Sequence, residues 1–245
     1  MLGGMGPAAT ADFLARLARL TPATRDQDHV ATLVYSDPST PDRSDALVGR
    51  GPSPLPAMIR GVEFLSRAGC ALIAIPCNTA HHWYDELAER SAVPVLHIVE
   101  AAVHRLRGYP DVRTVGLLST DGTVRAGIYH DPLRRRGVTV LDLSDRGEAS
   151  PVMRGIRALK AGKRDDARRE LCAAGHQLAE RGAQLLLVAC TDVSAALPDV
   201  DSIAGRPLLD AADCLALASL DRLRSHHRPG RSEARDAPAH PPARR

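Results

Sequence analysis

The chain has 245 residues, of which 44% are hydrophobic and 25% are charged, as in ordinary soluble globular proteins with a sizeable core. It has no apolar run near the roughly 20 residues that cross a membrane, and its start, MLGGMGPAAT, lacks the features of a signal peptide, so we expect a cytoplasmic protein. The formal charge of +3 comes from segment 224–245, which holds six arginines against two acidic residues. The nearly neutral body, with only 3% aromatic residues in the chain, argues against nucleic acid as a partner.

Short apolar runs alternate with helical patterns along the body of the chain, which predicts a parallel sheet with helices on both faces. In chain order, the predicted elements are helix 10–19, strand 29–35, helix 54–68, strand 71–75, helix 80–90, strand 95–98, strand 114–118, helix 123–136, strand 139–142, helix 152–160, helix 164–181, strand 184–188 and helix 210–223. The mixture of Pro, Arg and Ala in 224–245 predicts a disordered basic tail.

Two segments of the chain resemble each other. When AGCALIAIPCNT (68–79) is aligned with RGAQLLLVACTD (181–192), Gly69 falls on Gly182 and a cysteine falls on a cysteine. Chance similarity between two buried strands is the alternative, but the shared cysteine position favours a repeat. The repeat predicts an α/β fold of two pseudo-symmetric lobes, each a short parallel sheet flanked by helices, with the active site in the cleft between them. The predicted boundaries are 1–104 for the first lobe, which a C-terminal helix at about 208–223 completes, 105–207 for the second lobe and 224–245 for the tail.

Two of the five cysteines have a distinctive position. Cys77 and Cys190 each end a predicted strand and precede a predicted helix. In open α/β sheets, ligands bind at this carboxyl edge of the strands. The N-terminal end of a helix favours a thiolate, so the position should lower the pKa of these thiols from the usual value of about 8.5.

The other three cysteines carry no such signal. Cys70, Cys172 and Cys214 lie beside or within helical patterns and are expected to be small core residues. Because the five cysteines are widely spaced, without a Cys-x-x-Cys pair, we expect free thiols in a reducing compartment. The spacing also argues against a metal site, for which His81 and His82 are weak candidates as ligands.

Two thiols that face each other across a cleft form a symmetric acid/base pair. One thiolate removes a proton from a carbon atom and the opposite thiol returns a proton to the other face, so that the configuration inverts. A carboxylate next to that carbon gains charge in the planar intermediate and needs hydrogen-bond donors. Asn78, Thr79 and Thr191, with the backbone N–H groups of the two helix starts, are candidates for that role.

The chain resembles the cofactor-independent aspartate racemases of the aspartate/glutamate racemase superfamily, from Leu2 to about residue 223. The matching segments stand in the family's order. They are LGGMGPAAT (2–10), TPATRDQDH (21–29), STPDRS (39–44), IPCNTAHHWYDEL (75–87), LHIVE (96–100), STDGT (119–123), ALKAG (158–162) and ACTD (189–192). The glutamate racemase branch fits less well, because its first turn resembles DSGxGG and its second cysteine is followed by Thr-His.

This resemblance implies an isomerase that interconverts L- and D-aspartate, with Cys77 and Cys190 as the two acid/base residues. It implies no pyridoxal phosphate, metal or nucleotide as a cofactor, a small amino acid as the substrate, and a homodimer. The substrate-binding residues that it implies are Asn78, Thr79 and Thr191 for the α-carboxylate and amino group, Met5 and Gly6 in the Gly3–Pro7 turn, Thr120 on the second lobe, and Arg43 and Lys160 for the side-chain carboxylate.

The chain departs from the family pattern in three places. The second cysteine lies between Ala189 and Thr-Asp192, where the family usually has Gly-Cys-Thr-Glu, and the shorter carboxylate could change the orientation of that cysteine. The sequence begins inside the LGGMGP motif, so the first lobe is expected either to lack a strand or to begin upstream. The Arg/Pro tail has no role in the family.

Other functions remain open at this point. A racemase for glutamate or for a broader set of amino acids, and a decarboxylase or isomerase of small dicarboxylates, would use a similar site. A non-catalytic amino-acid-binding module would keep Arg43 and Lys160 without needing either thiol, although by pattern alone both could be solvated surface charges. A thiol redox protein would need a second cysteine close in sequence.

Overall fold

The secondary structure of this chain, in a computed structural model that describes residues 1–144 and 150–226, alternates strands and helices. The helices are Pro7–Leu20 (α1), Arg43–Leu47 (α2), Leu55–Arg67 (α3), Tyr84–Glu89 (α4), Ile98–Arg105 (α5), Asp121–Arg125 (α6), His130–Arg134 (α7), Pro151–Lys160 (α8), Arg164–Glu180 (α9), Thr191–Ala196 (α10) and Ala211–His226 (α11). The strands are Leu2–Gly3 (β1), Tyr35–Ser36 (β2), Ile73–Ala74 (β3), Val95–Leu96 (β4), Thr114–Leu118 (β5), Thr139–Leu141 (β6), Leu185–Val188 (β7), Ser202–Ile203 (β8) and Arg206–Asp210 (β9).

The strands form three separate sheets among the described residues. Strands β1 and β2 pair in parallel, as do β3 and β4, and the third sheet has the order β6-β5-β7-β9-β8. In that sheet only the β8–β9 pair is antiparallel. All four residues of β7 are buried, as expected for a parallel strand covered by helices on both faces. The predicted α/β class, with parallel sheets flanked by helices, is confirmed.

The last helix, α11, connects the two halves of the chain. It packs against α1, α5 and α10. One hydrophobic core therefore includes residues from all along the sequence, because Phe13 of α1, Ile98 of α5, Leu187 of β7 and Leu215 of α11 belong to the same buried cluster. This packing joins the first and second halves of the chain in one core.

The repeat detected in the sequence has a structural counterpart. Gly69 follows helix α3 with φ +77° and Gly182 follows α9 with φ +97°, which is the left-handed conformation that glycine adopts at the end of a helix. In both copies the chain then turns into a buried strand that leads to a cysteine. Each glycine is therefore needed to turn the chain into a strand that ends at the cleft.

Four predicted elements differ in the structure. Of the predicted strand 29–35, only Tyr35 lies in a strand, β2. The N–H of Tyr35 donates to the carbonyl of Met1, and the amino group of Met1 donates to the carbonyl of Leu33. A two-residue strand, β1, lies inside the LGGMGP motif itself and pairs with β2. Predicted helix 123–136 is split into α6 and α7 at Gly127, which has φ +65°. Residues 79–83 form a 3-10 helix before α4, and residues 208–210, predicted as helix, belong to β9.

The C-terminal tail is described only at its beginning. Helix α11 continues to His226, so residues 224–226 are helical and the prediction of disorder for them is wrong. The rest of the predicted tail, 227–245, lies outside the described residues. Within the described residues, no helix is long and apolar enough to cross a membrane.

Candidate active site

A cleft between the ends of β3 and β7 contains most of the residues singled out from the sequence. It encloses about 390 Å³ of empty space, part of which is open to solvent. Nine of the ten predicted site residues line it, and Gly6 lines the adjoining outer groove. The residues that line the cleft are Met5, Asp42, Arg43, Ser44, Cys77, Asn78, Thr79, Thr120, Lys160, Cys190, Thr191 and Asp192.

The structure brings Cys77 and Cys190 to this one cleft. Cys77 follows β3 and Cys190 is the N-terminal cap of α10, and each is 7% exposed. The other cysteines do not line the cleft: Cys70 and Cys172 are half-buried, and Cys214 is buried in the core. All five are free thiols. Two buried thiols therefore approach one cavity from opposite strands.

Burial controls the ionisation of Cys190. Removal from water, with the carboxylate of Asp192 acting in the same direction, raises the pKa of this thiol to about 12, although the N–H groups of Val193 and Asp192 oppose the rise. The predicted lowering by the helix terminus is therefore wrong for Cys190, because α10 has only six residues and its N–H groups do not offset burial. At neutral pH the free protein holds Cys190 as a thiol, which is the form that donates a proton.

We expect Asp192→Asn to lower the pKa of Cys190, because it removes the nearest negative charge without changing the size of the side chain. The rate at which iodoacetamide alkylates Cys190, measured at pH 8 to 9 by mass spectrometry of its peptide, should rise about threefold to tenfold. The exposed Asp199 provides the control, since Asp199→Asn should leave the rate unchanged. An equal or slower rate in Asp192→Asn would show that the carboxylate does not act on this thiol.

Three threonine hydroxyl groups join the two sides of the cleft. The Thr79 hydroxyl lies 3.1 Å from that of Thr120 and 2.9 Å from that of Thr123, and the last two are 3.1 Å apart. Thr120 also caps α6 by accepting a hydrogen bond from the N–H of Thr123. Thr123, which the sequence reasoning did not identify, therefore orients both threonines that line the cleft.

Two further hydrogen bonds join the segment after β3 to later parts of the chain. The phenol of Tyr129 donates to Oδ1 of Asn78 over 2.5 Å, and the hydroxyl of Thr191 donates to the carbonyl of Pro76 over 3.1 Å. Nδ2 of Asn78 is buried and has no hydrogen-bond partner among the described residues. Asn78 therefore retains one available donor group at the cleft, whereas the proton of the Thr191 hydroxyl is already used.

Arg43 is held tightly by the backbone around it. Its guanidinium donates to the carbonyl oxygens of Met5 at 2.9 Å, Pro41 at 2.8 Å and Thr40 at 3.1 Å. Its Nε is buried and has no partner in the described part of the chain. The alternative of a solvated surface charge is therefore wrong for Arg43, which is a fixed cation at the wall of the cleft.

Lys160 is different, because its side chain is 55% exposed. Its Nζ lies 3.8 Å from Oδ2 of Asp192, which is only 13% exposed. Asp42, the second carboxylate of the cleft, caps α2 by accepting from the N–H groups of Ser44 and Asp45 at 2.8 and 3.0 Å. Among the described residues, two cations and two carboxylates therefore line the cleft, and of the two cations Arg43 is the one held by backbone carbonyls.

Burial raises the pKa of Asp192, and the carboxylate of Asp42 adds to this effect, whereas the cations Lys160 and Arg43 oppose it. Sequence reasoning treated Asp192 only as a departure from a family pattern, and it missed Asp42 and Ser44. The available signal for Asp42 was its position before a short helix, where an aspartate is a favoured cap.

His81 supports the segment that follows Cys77. It is 4% exposed, its Nδ1 lies 2.9 Å from the carbonyl oxygen of Cys77, and its Nε2 accepts from the N–H of Ile98 at 3.2 Å. Burial lowers the pKa of His81 to about 4, so the ring is neutral. Both ring nitrogens are thus engaged with the backbone. Residues 1–144 and 150–226 contain no group of three His, Cys, Asp or Glu side chains arranged to hold a metal ion.

Comparisons with known proteins agree with one another. Residues 2–218 match the family described as Asp/Glu/hydantoin racemase. The broad specificity amino-acid racemase RacX of Bacillus subtilis is 30% identical over 224 residues, which cover 90% of this chain and 95% of the relative. The solved structure of Picrophilus torridus aspartate racemase is 30% identical, covers 90% of this chain and 91% of its own, and superimposes with a TM-score of 0.81. A Thermus thermophilus glutamate racemase structure, at 24% identity and a TM-score of 0.61, shares the fold and covers 94% of this chain and 82% of its own.

Proposed function

Because the chain belongs to the Asp/Glu/hydantoin racemase family, and is thus an isomerase that acts on a small amino acid, we propose that it interconverts L- and D-aspartate without a cofactor. The observation that carries the proposal is the placement of Cys77 and Cys190, two buried thiols on different strands, at one cleft. The aspartate racemase whose fold this chain shares at 30% identity supports the choice of substrate.

The reaction that we propose needs one thiolate and one thiol. The thiolate of one cysteine takes the α-proton, and the electron pair of the broken C–H bond moves into the carboxylate to give a planar intermediate. The opposite thiol then gives its proton to the other face of the α-carbon, and its sulfur becomes the thiolate. Atoms and charge balance, and the reverse reaction exchanges the two roles. The high pKa of Cys190 keeps it protonated in the free protein, which suits Cys190 as the proton donor in the direction where Cys77 is the base.

Donors for the α-carboxylate come from the elements that carry the cysteines. The available Nδ2 of Asn78 and the N–H groups at the start of α10 are placed to bind a carboxylate whose charge grows during the reaction. The hydroxyl of Thr79 can accept from the α-amino group, since it keeps a lone pair beyond its bonds to Thr120 and Thr123. The hydroxyl of Thr120 already accepts from Thr79 and from the N–H of Thr123, so its role is to orient Thr79. Arg43 and Lys160 remain the proposed partners of the side-chain carboxylate.

A broader set of substrates is the second candidate, and the charge balance of the cleft favours it. Asp192 already pairs with Lys160, so a side-chain carboxylate must compete with a protein carboxylate for this cation. A cleft with two cations and two carboxylates also provides counter-charges for more than one kind of side chain. The similarity to a broad specificity amino-acid racemase points in the same direction.

The test is incubation with L-aspartate in D₂O. We expect the α-proton to exchange for deuterium, as seen by NMR, and D-aspartate to form, as seen by chiral chromatography. The same assay with alanine, glutamate and lysine distinguishes the two candidates: racemisation of aspartate alone indicates a narrow specificity, and racemisation of several amino acids indicates a broad one. Binding of aspartate without exchange would support an amino-acid-binding module, and loss of a carboxyl group would support a decarboxylase; either result contradicts the proposal. The homodimer, the cytoplasmic location and the lobe boundaries stay predictions.

A further inference from the structure

The amide of Asn78 has a defined direction. Its Oδ1 accepts a hydrogen bond of 2.5 Å from the phenol of Tyr129, and the Nδ2 atom of the same amide has no partner among the described residues. Asn78 is only 3% exposed, yet it lines the cleft with the two cysteines. An unpaired donor in a buried position is costly unless a ligand satisfies it. The amide is therefore arranged for a ligand that accepts hydrogen bonds.

Tyr129 lies behind the cleft and does not line it. It is completely buried in the segment between α6 and α7, and its ring belongs to the hydrophobic core that Leu117 and Leu187 share. Burial raises the pKa of this phenol well above its usual value, and the nearby Cys214, Asp210 and Cys190 add to the effect. The phenol therefore stays protonated throughout the pH range in which the protein works.

A protonated phenol in this position fixes the amide because of its single proton. With Oδ1 toward Tyr129, that proton has an acceptor and the NH₂ group faces the cleft. If the amide rotated by half a turn, two donors would face each other across the short O–N contact unless the phenol proton turned away. Oδ1 would then face the negatively charged substrate. The contact also crosses the site, since Asn78 follows β3 and Tyr129 follows α6.

We propose that Tyr129 is a positioning residue, which holds the NH₂ group of Asn78 toward the cleft so that it donates to the α-carboxylate of the substrate. This inference rests on the proposed function and deepens it: it gives the residue that determines the polarity of the carboxylate site.

The experiment is a double-mutant cycle with Tyr129→Phe, Asn78→Ala and the double variant. Removing the phenol oxygen should lower kcat/KM by about tenfold, and removing the amide should lower it by about a hundredfold. If Tyr129 acts through Asn78, the double variant should be no worse than Asn78→Ala, within about twofold. Losses that multiply would mean that Tyr129 supports the fold independently, and would overturn the inference, as would a Tyr129→Phe variant with wild-type kinetics.

The matched control is Tyr84→Phe. The Tyr84 phenol also donates one hydrogen bond, to the carbonyl of Val95 at 3.0 Å, but Val95, unlike Asn78, does not line the cleft. We expect this variant to keep wild-type kinetics. A loss equal to that of Tyr129→Phe would show that any lost phenol bond disturbs the site, and would also overturn the inference.

Asn78→Asp tests the same inference with Tyr129 intact, and so does not depend on whether Tyr129→Phe folds. The aspartate keeps an acceptor for the phenol but places an oxygen where the NH₂ group was. With an unchanged unfolding temperature, kcat/KM should fall by at least about a hundredfold. Wild-type kinetics in this variant would show that Nδ2 does not face the substrate.

Measuring the dissociation constant of L-aspartate by calorimetry for every variant separates this inference from the proposed function. If the wild type binds aspartate without racemising it, the proposed function fails, and the cycle in binding affinity still tests Tyr129. If the wild type racemises a different amino acid, the cycle is measured with that substrate. A wild-type protein that binds no amino acid contradicts both.

Discussion

Cys77→Ser and Cys190→Ser are each expected to lose at least about a thousandfold in the rate of racemisation, because inversion needs an acid/base group on both faces of the α-carbon. A serine hydroxyl is far less acidic than a thiol, so it supplies almost no base near neutral pH. The replacement conserves the shape of the side chain, and both positions are only 7% exposed, so the unfolding temperature should show whether packing is preserved. The measurement is the change in optical rotation from either enantiomer of aspartate.

Each single variant retains one intact thiol, which gives a second and more specific result. Elimination of chloride from a β-chloro amino acid needs one base, because the α-proton leaves to that base and the electron pair expels chloride, and no proton has to return to the far face. Cys77→Ser should therefore release chloride from one enantiomer of β-chloroalanine, and Cys190→Ser from the other.

The controls for this pair are Cys70→Ser and Cys172→Ser. Both cysteines are half-buried free thiols that do not line the cleft, so their variants should racemise at the wild-type rate. If both active-site variants processed the same enantiomer, or if either control lost activity to the same extent, the two-cysteine mechanism would be wrong.

Arg43→Ala is expected to reduce kcat/KM for aspartate much more than for alanine. The guanidinium is fixed by three backbone carbonyls, and its buried Nε has no partner among residues 1–144 and 150–226. Removal of the guanidinium therefore leaves a side-chain carboxylate unpaired in the cleft. Truncating one partner of a desolvated ion pair costs about 2–5 kcal/mol, which corresponds to at least about thirtyfold for aspartate. The ratio of the two substrates is the measurement, because the loss of the bonds to Met5 and Pro41 should affect both substrates alike.

Arg50→Ala is the matched control for this prediction. Arg50 lies just beyond α2, its side chain is 64% exposed, and it pairs with Asp45 at the surface, where an ion pair contributes little. This variant should have the wild-type kcat/KM for both aspartate and alanine. If Arg43→Ala lowered kcat/KM by the same factor for aspartate and for alanine, Arg43 would hold the wall of the cleft without binding the substrate's side chain.

The sequence by itself predicted the α/β class and the position of both cysteines at the ends of strands. These features depend on local pattern: apolar runs make buried parallel strands, and a glycine such as Gly69 or Gly182 turns the chain from a helix into the next strand. The sequence also predicted that Asn78 and Thr191 would lie beside the cysteines, because the residue after a strand's end lies at the same edge of the sheet. The sequence did not predict β8 and β9, which form where a neighbouring strand supplies the hydrogen bonds, β7 for β9 and β9 for β8.

The tertiary structure alone decided the chemical state of the site. The pKa of Cys190 is raised because burial outweighs the dipole of a short helix, and burial depends on what the rest of the chain places around the thiol. The fixed direction of the Asn78 amide depends on Tyr129, 51 residues further along the chain, and no local pattern marks that partner. Arg43 is anchored in the same way, by the carbonyl of Met5, 38 residues away. The residue types in a motif indicate which groups meet at the site. The protonation state and the orientation of those groups depend on packing between distant parts of the chain, because that packing removes water and supplies the hydrogen-bond partners.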